Sequence, residues 1–331
     1  SKVMTFSKAQ LAPVITRIKI MANLDITTRR LPQDGRFNLN IDDQYIDIRV
    51  SIMPTINGEK VVLRLLNRNK HLLNLDQLGF NKVQVKHIKQ MLDKPNGIIL
   101  VTGPTGSGKT TTLYSMLNAV NIPTKNIMTL EDPVEYAIPG INQVQINPKA
   151  GITFAKGLRA LLRQDPNIIM VGEIRDSETA KIAIRAALTG HLVFSTLHTN
   201  DASGAVNRLL DMGVESYLLA SCLVGVISQR LVKKICPHCR EKEKFSERDD
   251  NIVFFKGKGC SFCNFSGYKG RIAVGEIITI HEKHKSLILK QASSSHFDRV
   301  SRDLGFKNLL DNGMELVKNG TISYGELVGY S

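Results

Sequence analysis

Ile98-Ile99-Leu100-Val101-Thr102-Gly103-Pro104-Thr105-Gly106-Ser107-Gly108-Lys109-Thr110-Thr111 is the stretch that decides the fold. Its first residues form a short apolar run suited to a buried strand. Gly103 to Thr110 then satisfies G-x-x-x-x-G-K-[ST] at every fixed position, and Thr111 to Val120 reads as a helix. A strand, a glycine-rich turn and a helix in this order make a phosphate cradle. The glycines let backbone N–H groups face an anion, and the helix start adds partial positive charge. Lys109 is placed to reach the outer phosphates and the Thr110 hydroxyl to ligate Mg²⁺, with Thr111 opening the helix. The expected ligand is ATP or ADP.

Outward from the loop, short apolar runs recur at Asn126 to Glu131, Asn167 to Glu173 and His191 to His198, with helical patterns between several of them. That alternation predicts an α/β domain with a mostly parallel sheet. Ligands of such sheets sit at the carboxyl ends of the strands, so residues closing a strand are site candidates. Glu173 follows Ile168-Ile169-Met170-Val171-Gly172 and is the expected residue for positioning or deprotonating water. Gly172 stands where a generic P-loop protein carries an Asp. Glu131, Asp132 and Glu135 close another strand, and Glu131 is the strongest candidate for a second acidic arm. His198 closes a third strand and is placed to sense the outer phosphate, with a structural role about equally compatible.

The N-terminal segment, residues 1–74, is small and mixed. Leu11 to Leu24 carries Ile15, Ile18 and Met21 at helical spacing. Leu31 to Arg36 reads as a turn. Phe37, Leu39 and Ile41, then Ile46, Ile48, Val50 and Ile52, alternate with polar residues as a hairpin with one buried face. Asp47, Arg49 and Ser51 fall on the polar face, and Lys60 to Leu66, with Arg64 inside it, is a further strand. Arg49 and Arg64 are candidates for neutralising phosphoryl charge if this segment meets a phosphate loop. Lys156, Arg159 and Arg163 share a helical face, which is either a phosphate-facing or a solvated basic stripe.

Beyond the core (residues 75–213) the pattern from Val214 onward reads as a C-terminal helical region, 214–331, with a cysteine module at 230–275. The uncharged stretch Ser216 to Gln229 is shorter than the roughly 18 residues a spanning helix needs, so it reads as a core helix. Cys236-Pro237-His238-Cys239 and Cys260-Ser261-Phe262-Cys263 are 20 residues apart, which suits a closed tetrahedral Zn²⁺ site of structural role. Redox pairs or reduced free cysteines are the alternatives. The chain has 331 residues, 42% hydrophobic and 22% charged, which excludes a disordered tail. The net charge of +14 favours anionic partners without choosing among them.

The sequence resembles the secretion ATPases of bacterial type II secretion and type IV pilus machines over nearly its whole length. The resemblance rests on the phosphate loop, on Thr129-Leu130-Glu131-Asp132-Pro133-Val134-Glu135, on Leu161 to Pro166 with Met170 to Asp176, and on Thr189 to Asn200. It implies a RecA-like P-loop ATPase domain behind a small, truncated PAS-like α+β domain. It further implies a homohexamer, in the cytoplasm and peripheral on the inner membrane, acting on a platform protein to assemble pilin or pseudopilin. By the same resemblance Glu173 is the Walker B glutamate, Gly172 is ordinary, and Arg49, Arg64, Arg159 and Arg163 serve the nucleotide. The four cysteines favour an assembly over a retraction machine. The stretch before Leu11 is shorter than the family's usual start. A hexameric nucleic-acid translocase or DNA-uptake motor is the competing reading, but no aromatic-basic interleaving suggests a stacking groove. A nucleotide-binding regulator without turnover is a third.

Overall fold

The computed structural model describes residues 2–41, 44–67, 73–243 and 253–329. The chain divides into two units, Ser1–His71 and Leu72–Ser331. The first holds helix α1 (Lys8–Met21) and strands β1 (Gln33–Ile41), β2 (Gln44–Thr55) and β3 (Gly58–Asn67), paired antiparallel in that order. Ile48, Val50 and Ile52 project into its core with Phe37, Leu39 and Ile18 beside them, as the alternation dictates. Two expectations need correcting. The stretch read as a turn at Leu31 to Arg36 is already β1 from Gln33, because Gln33 pairs with Ile52 at the far end of the hairpin. Asp47, expected on a solvated face, is 6% exposed. Lys19, 1% exposed, is held at 2.7 Å by Glu59 and donates to the Thr28 carbonyl.

The second unit carries α2 (Lys82–Leu92), β4 (Gly97–Thr102), α3 (Lys109–Val120), β5 (Ile127–Glu131), β6 (Asn142–Gln145), α4 (Phe154–Leu161), β7 (Ile168–Val171), α5 (Ser177–Leu188), β8 (Leu192–Leu197), α6 (Ala202–Asp211) and α7 (Ser216–Cys222). Then come β9 (Leu223–Ile235), β10 (Arg240–Glu243), β11 (Phe254–Gly257), β12 (Tyr268–Thr279), α8 (Glu282–Leu289), α9 (Ser294–Asp303), α10 (Leu309–Lys318) and α11 (Tyr324–Val328). The main sheet has seven strands in the order β12-β9-β4-β8-β7-β5-β6, with only β12 antiparallel to its neighbour. β4, β7 and β8 are buried along their whole length, as expected of strands covered on both faces. One apolar core, with Leu130, Val171 and Ala187, covers one face. Another, with Leu113, Met116 and Phe194, covers the other.

The region from Val214 onward is helical only in part: α7 to α11 are helices, but β9 and β12 are long strands. Ser216 to Gln229 splits at Cys222 into α7 and the start of β9. β9 lies between β4 and β12, so an apolar run there gains burial on both faces and ladder bonds on both edges. Residues before and after position 214 thus build one sheet. Among the described residues, no helix is long and apolar enough to cross a membrane.

Candidate functional site

β4 ends at Thr102, whose hydroxyl meets that of Thr199 at 2.6 Å, and the chain turns at once into the glycine loop. At Gly103, φ is 144°, and a Cβ would lie 2.3 Å from the Gln229 carbonyl oxygen and 2.6 Å from Ser107 Oγ, so no side chain fits. α3 starts at Lys109 behind Gly108, which offers no side-chain cap, whereas Thr153, Asp176 and Asp201 cap α4, α5 and α6. Ser107 Oγ is buried and lacks a hydrogen-bond partner among the described residues. A cradle with free helix-start N–H groups and an orphaned hydroxyl suits a phosphate. Lys109 Nζ arches back to the carbonyls of Gly103 at 2.8 Å and Pro104 at 3.0 Å. Burial lowers its pKa, and the negative charge of Glu173 opposes that shift. Thr110 and Thr111 are exposed on the first turn of α3.

Glu173 and His198 come together because β7 and β8 are parallel neighbours with Val171 opposite Ser195. Glu173 Oε2 lies 3.6 Å from His198 Nε2, and its Oε1 lies 2.6 Å from Arg175 Nη2. Burial, and then the Lys109 cation, lower the His198 pKa from 6.5, while Glu173 raises it. Lys109, Glu173 and His198 therefore share one field at the carboxyl edge of β4, β8 and β7. Gly172 is tightly packed. A Cβ there would come within 3.1 Å of the Leu130 carbonyl oxygen and 3.5 Å of Glu131 Cα.

Glu131 is differently placed from a second acidic arm beside the loop. β8 and β7 separate β5 from β4. The residue is 3% exposed, and its carboxylate accepts from Tyr114 Oη, from Thr129 Oγ1 at 2.6 Å and from Gln143 Nε2 at 3.0 Å. It ties β5 to α3, and burial together with this carboxylate pushes the Tyr114 pKa far up. Asp132 is exposed and Glu135 half-buried.

The basic candidates divide. α4 ends at Leu161, so Arg163 lies beyond the helix that carries Lys156 and Arg159. Arg159 pairs with Glu178 of α5 at 2.7 Å, and Arg163 Nη1 donates to the Arg159 carbonyl at 2.9 Å. In the smaller unit Arg49 stands directly opposite Arg64 on one side and Arg36 on the other. Three arginines therefore stand abreast across the small sheet. Sequence reasoning missed Arg36, which only the hairpin register brings into line. It also missed Arg175, two residues past Glu173, and Gln229.

The cysteines converge as their spacing implies. The four Sγ atoms lie within 4.8 Å of one another, with contacts of 3.9 Å (Cys236 to Cys260), 3.8 Å (Cys239 to Cys263) and 3.7 Å (Cys260 to Cys263). Four sulfurs about 2.3 Å from a tetrahedral centre are about 3.8 Å apart, so the cluster can hold zinc. These separations are too long for disulfides. Backbone N–H groups of Gly259, Cys260 and Gly267 point at Cys239 or Cys263 sulfur at 3.2 to 3.3 Å, which favours thiolates.

A family model described as "Type II/IV secretion system protein" matches residues 1–329. The putative type II secretion system protein E of Escherichia coli (strain K12) is 48% identical over 331 residues, covering 97% of this chain and 67% of that protein. The type IV pilus assembly ATPase PilB of Thermus thermophilus is 46% identical over 335 residues, covering 98% of this chain and 38% of that protein. This chain thus spans two thirds or less of these relatives' length. Among solved structures, the pilus retraction motor PilT with bound ADP superposes with a TM-score of 0.69 at 29% identity, covering 91% of this chain and 78% of that one.

Proposed function

The chain belongs to the family of type II/IV secretion system proteins, and from that premise we propose that it is the motor ATPase of a pilus-assembly or type II secretion machine. The observation that carries the reading is the convergence of Lys109, Glu173 and His198 at one edge of three adjacent parallel strands. Lys109 and the amides of the glycine loop hold the phosphates, and Thr110 is the group for Mg²⁺. Glu173, aimed by Arg175, orients water for attack on the outer phosphate. His198, on the other carboxylate oxygen, reports whether that phosphate is present. The four cysteines would hold Zn²⁺, which would crosslink a polar segment in a structural role.

The motor works as a cytoplasmic homohexamer against an inner-membrane platform protein, driving pilin or pseudopilin into a fibre. In the ring, Arg49, Arg64, Arg159 and Arg163 neutralise phosphate charge, so turnover belongs to the assembly. Phosphate release by wild type and by Glu173→Gln, each at ring-forming concentration, tests the reading. Fast release by the wild type and near-background release by the variant are expected. Equal slow rates in both would sink it.

A further inference from the structure

Gln229 is 1% exposed, in the middle of β9. Its Nε2 donates to the Ser107 carbonyl oxygen at 2.7 Å, and its Oε1 accepts from Thr112 Oγ1 at 2.7 Å. Thr112 is 1% exposed on the first turns of α3. The Ser107 carbonyl oxygen can only accept, so it fixes the NH₂ end of the amide toward the loop and leaves the oxygen end to accept from the Thr112 hydroxyl. We infer that Gln229 is a positioning residue for nucleotide binding, one that sets the direction of a phosphate-loop amide from a strand outside the motif. This rests on the nucleotide-site reading above.

A trans peptide is planar, and its C=O and N–H point in opposite directions. Holding the Ser107 carbonyl toward β9 therefore turns the Gly108 N–H away from β9, toward the side on which a phosphate would be cradled. Gly108 is the left-handed turn before α3, with a φ of 88°, where the backbone has most freedom to swing. β9 is rigid enough to resist that swing. It is laddered to β4 and β12, with Ser228 opposite Thr102 on one side and Glu276 on the other. Ser228 and Arg230, which flank Gln229, grip Asn200 at 3.1 Å and 3.0 Å in the loop after His198. One strand thereby holds the phosphate loop and the histidine loop in register.

The test measures ADP affinity by calorimetry, and backbone amide exchange at 103–110 without nucleotide, for wild type, Gln229→Met, Gln229→Glu and Thr112→Val. Gln229→Met, similar in volume, should weaken ADP binding about tenfold or more and speed exchange in the loop. Thr112→Val should do the same more mildly. Gln229→Glu should bind weakly at neutral pH and recover as the pH falls, because a protonated carboxyl can again donate to Ser107 while accepting from Thr112. A purely structural role would not produce that recovery. Unchanged ADP affinity in Gln229→Met, or a pH-independent defect in Gln229→Glu, overturns the inference. If Gln229→Met does not fold, the pH profile of Gln229→Glu decides. If wild type itself fails to bind ADP, the nucleotide reading falls. The exchange comparison then judges the brace alone, and unaltered exchange overturns it.

Discussion

Glu173 Oε2 lies 3.6 Å from His198 Nε2 while Arg175 holds the other carboxylate oxygen at 2.6 Å. The carboxylate is fixed at both ends, so its direction is set before any substrate arrives. Replacing it by the isosteric amide keeps both contacts possible but removes the base. Glu173→Gln should lower turnover by roughly 10²- to 10⁴-fold and leave ADP affinity within a factor of about three. Parallel phosphate-release and calorimetric titrations check this.

His198 is neutral at neutral pH, because burial and the Lys109 cation hold its pKa below 6.5. A sensor that must accept or donate without carrying charge gains from that. If the acid limb of the rate profile reports His198, it falls below pH 6.5 and vanishes in His198→Gln. An unshifted limb in the variant would assign it to another group. Profiles of kcat for the two proteins distinguish the cases.

Glu276 is 7% exposed on β12 and accepts from the Ala202 N–H at the start of α6 at 3.3 Å. Burial pushes its pKa from 4.5 to about 7, with Asp298 and Asp201 adding to the rise and the Ala202 N–H and Arg302 opposing it. The folded chain then keeps a proton that the unfolded chain has already lost. Stability therefore falls as pH rises from about 4.5 to about 7, by about 3 kcal/mol in total, and levels off above that. Glu276→Gln should flatten this window, which denaturant titrations across the pH range would reveal. A slope unchanged by the substitution would count against Glu276.

Thiolates less than 4 Å apart repel unless a cation lies between them. Stripping metal from the wild type with a strong chelator should lower its melting temperature by about 5–10 °C, on the order of 3 kcal/mol. Cys239→Ser should already show the lower value and respond little to the chelator. Thermal scans with and without chelator, beside metal analysis of the protein, supply the check.

Tyr114 joins α3 to β5 through the Glu131 carboxylate. Tyr114→Phe removes that donor and should cost about 1–3 kcal/mol of stability. Because Glu131 is bound inside the sheet rather than beside the loop, ADP affinity should change by less than about threefold. A large loss of affinity would restore Glu131 to the site.

What could be read in advance follows the range of each interaction. The strand before the phosphate loop ends at Thr102, where its sequence suggested, because a glycine loop stops it abruptly. The cysteine cluster was equally legible, since ligand spacing encodes the site locally. Ser216 to Gln229 misled because an uncharged run of that length satisfies a buried helix and a buried strand alike. Its second half is settled by what lies beside it, and its partners on β12 are 46 to 54 positions further along the chain. The same blindness hid Gln229, whose partner Ser107 is 122 positions away. It also hid the exposed pairing of Arg159 with Glu178 between two helices.

A strand repeats every two residues, and β9 uses both phases. Ser228 and Arg230 turn to one side and Gln229 to the other. Inserting or deleting a single residue N-terminal to Ser228 would exchange those sides. The amide would be turned toward Asn200, and a hydroxyl or a guanidinium toward Ser107. The same slip would displace Cys236, which follows the last residue of the strand, from the three other sulfurs. Length changes here are therefore expected to be tolerated only in the loops that flank the strand, and β9 is the measure against which chimaeras of related motors should be aligned.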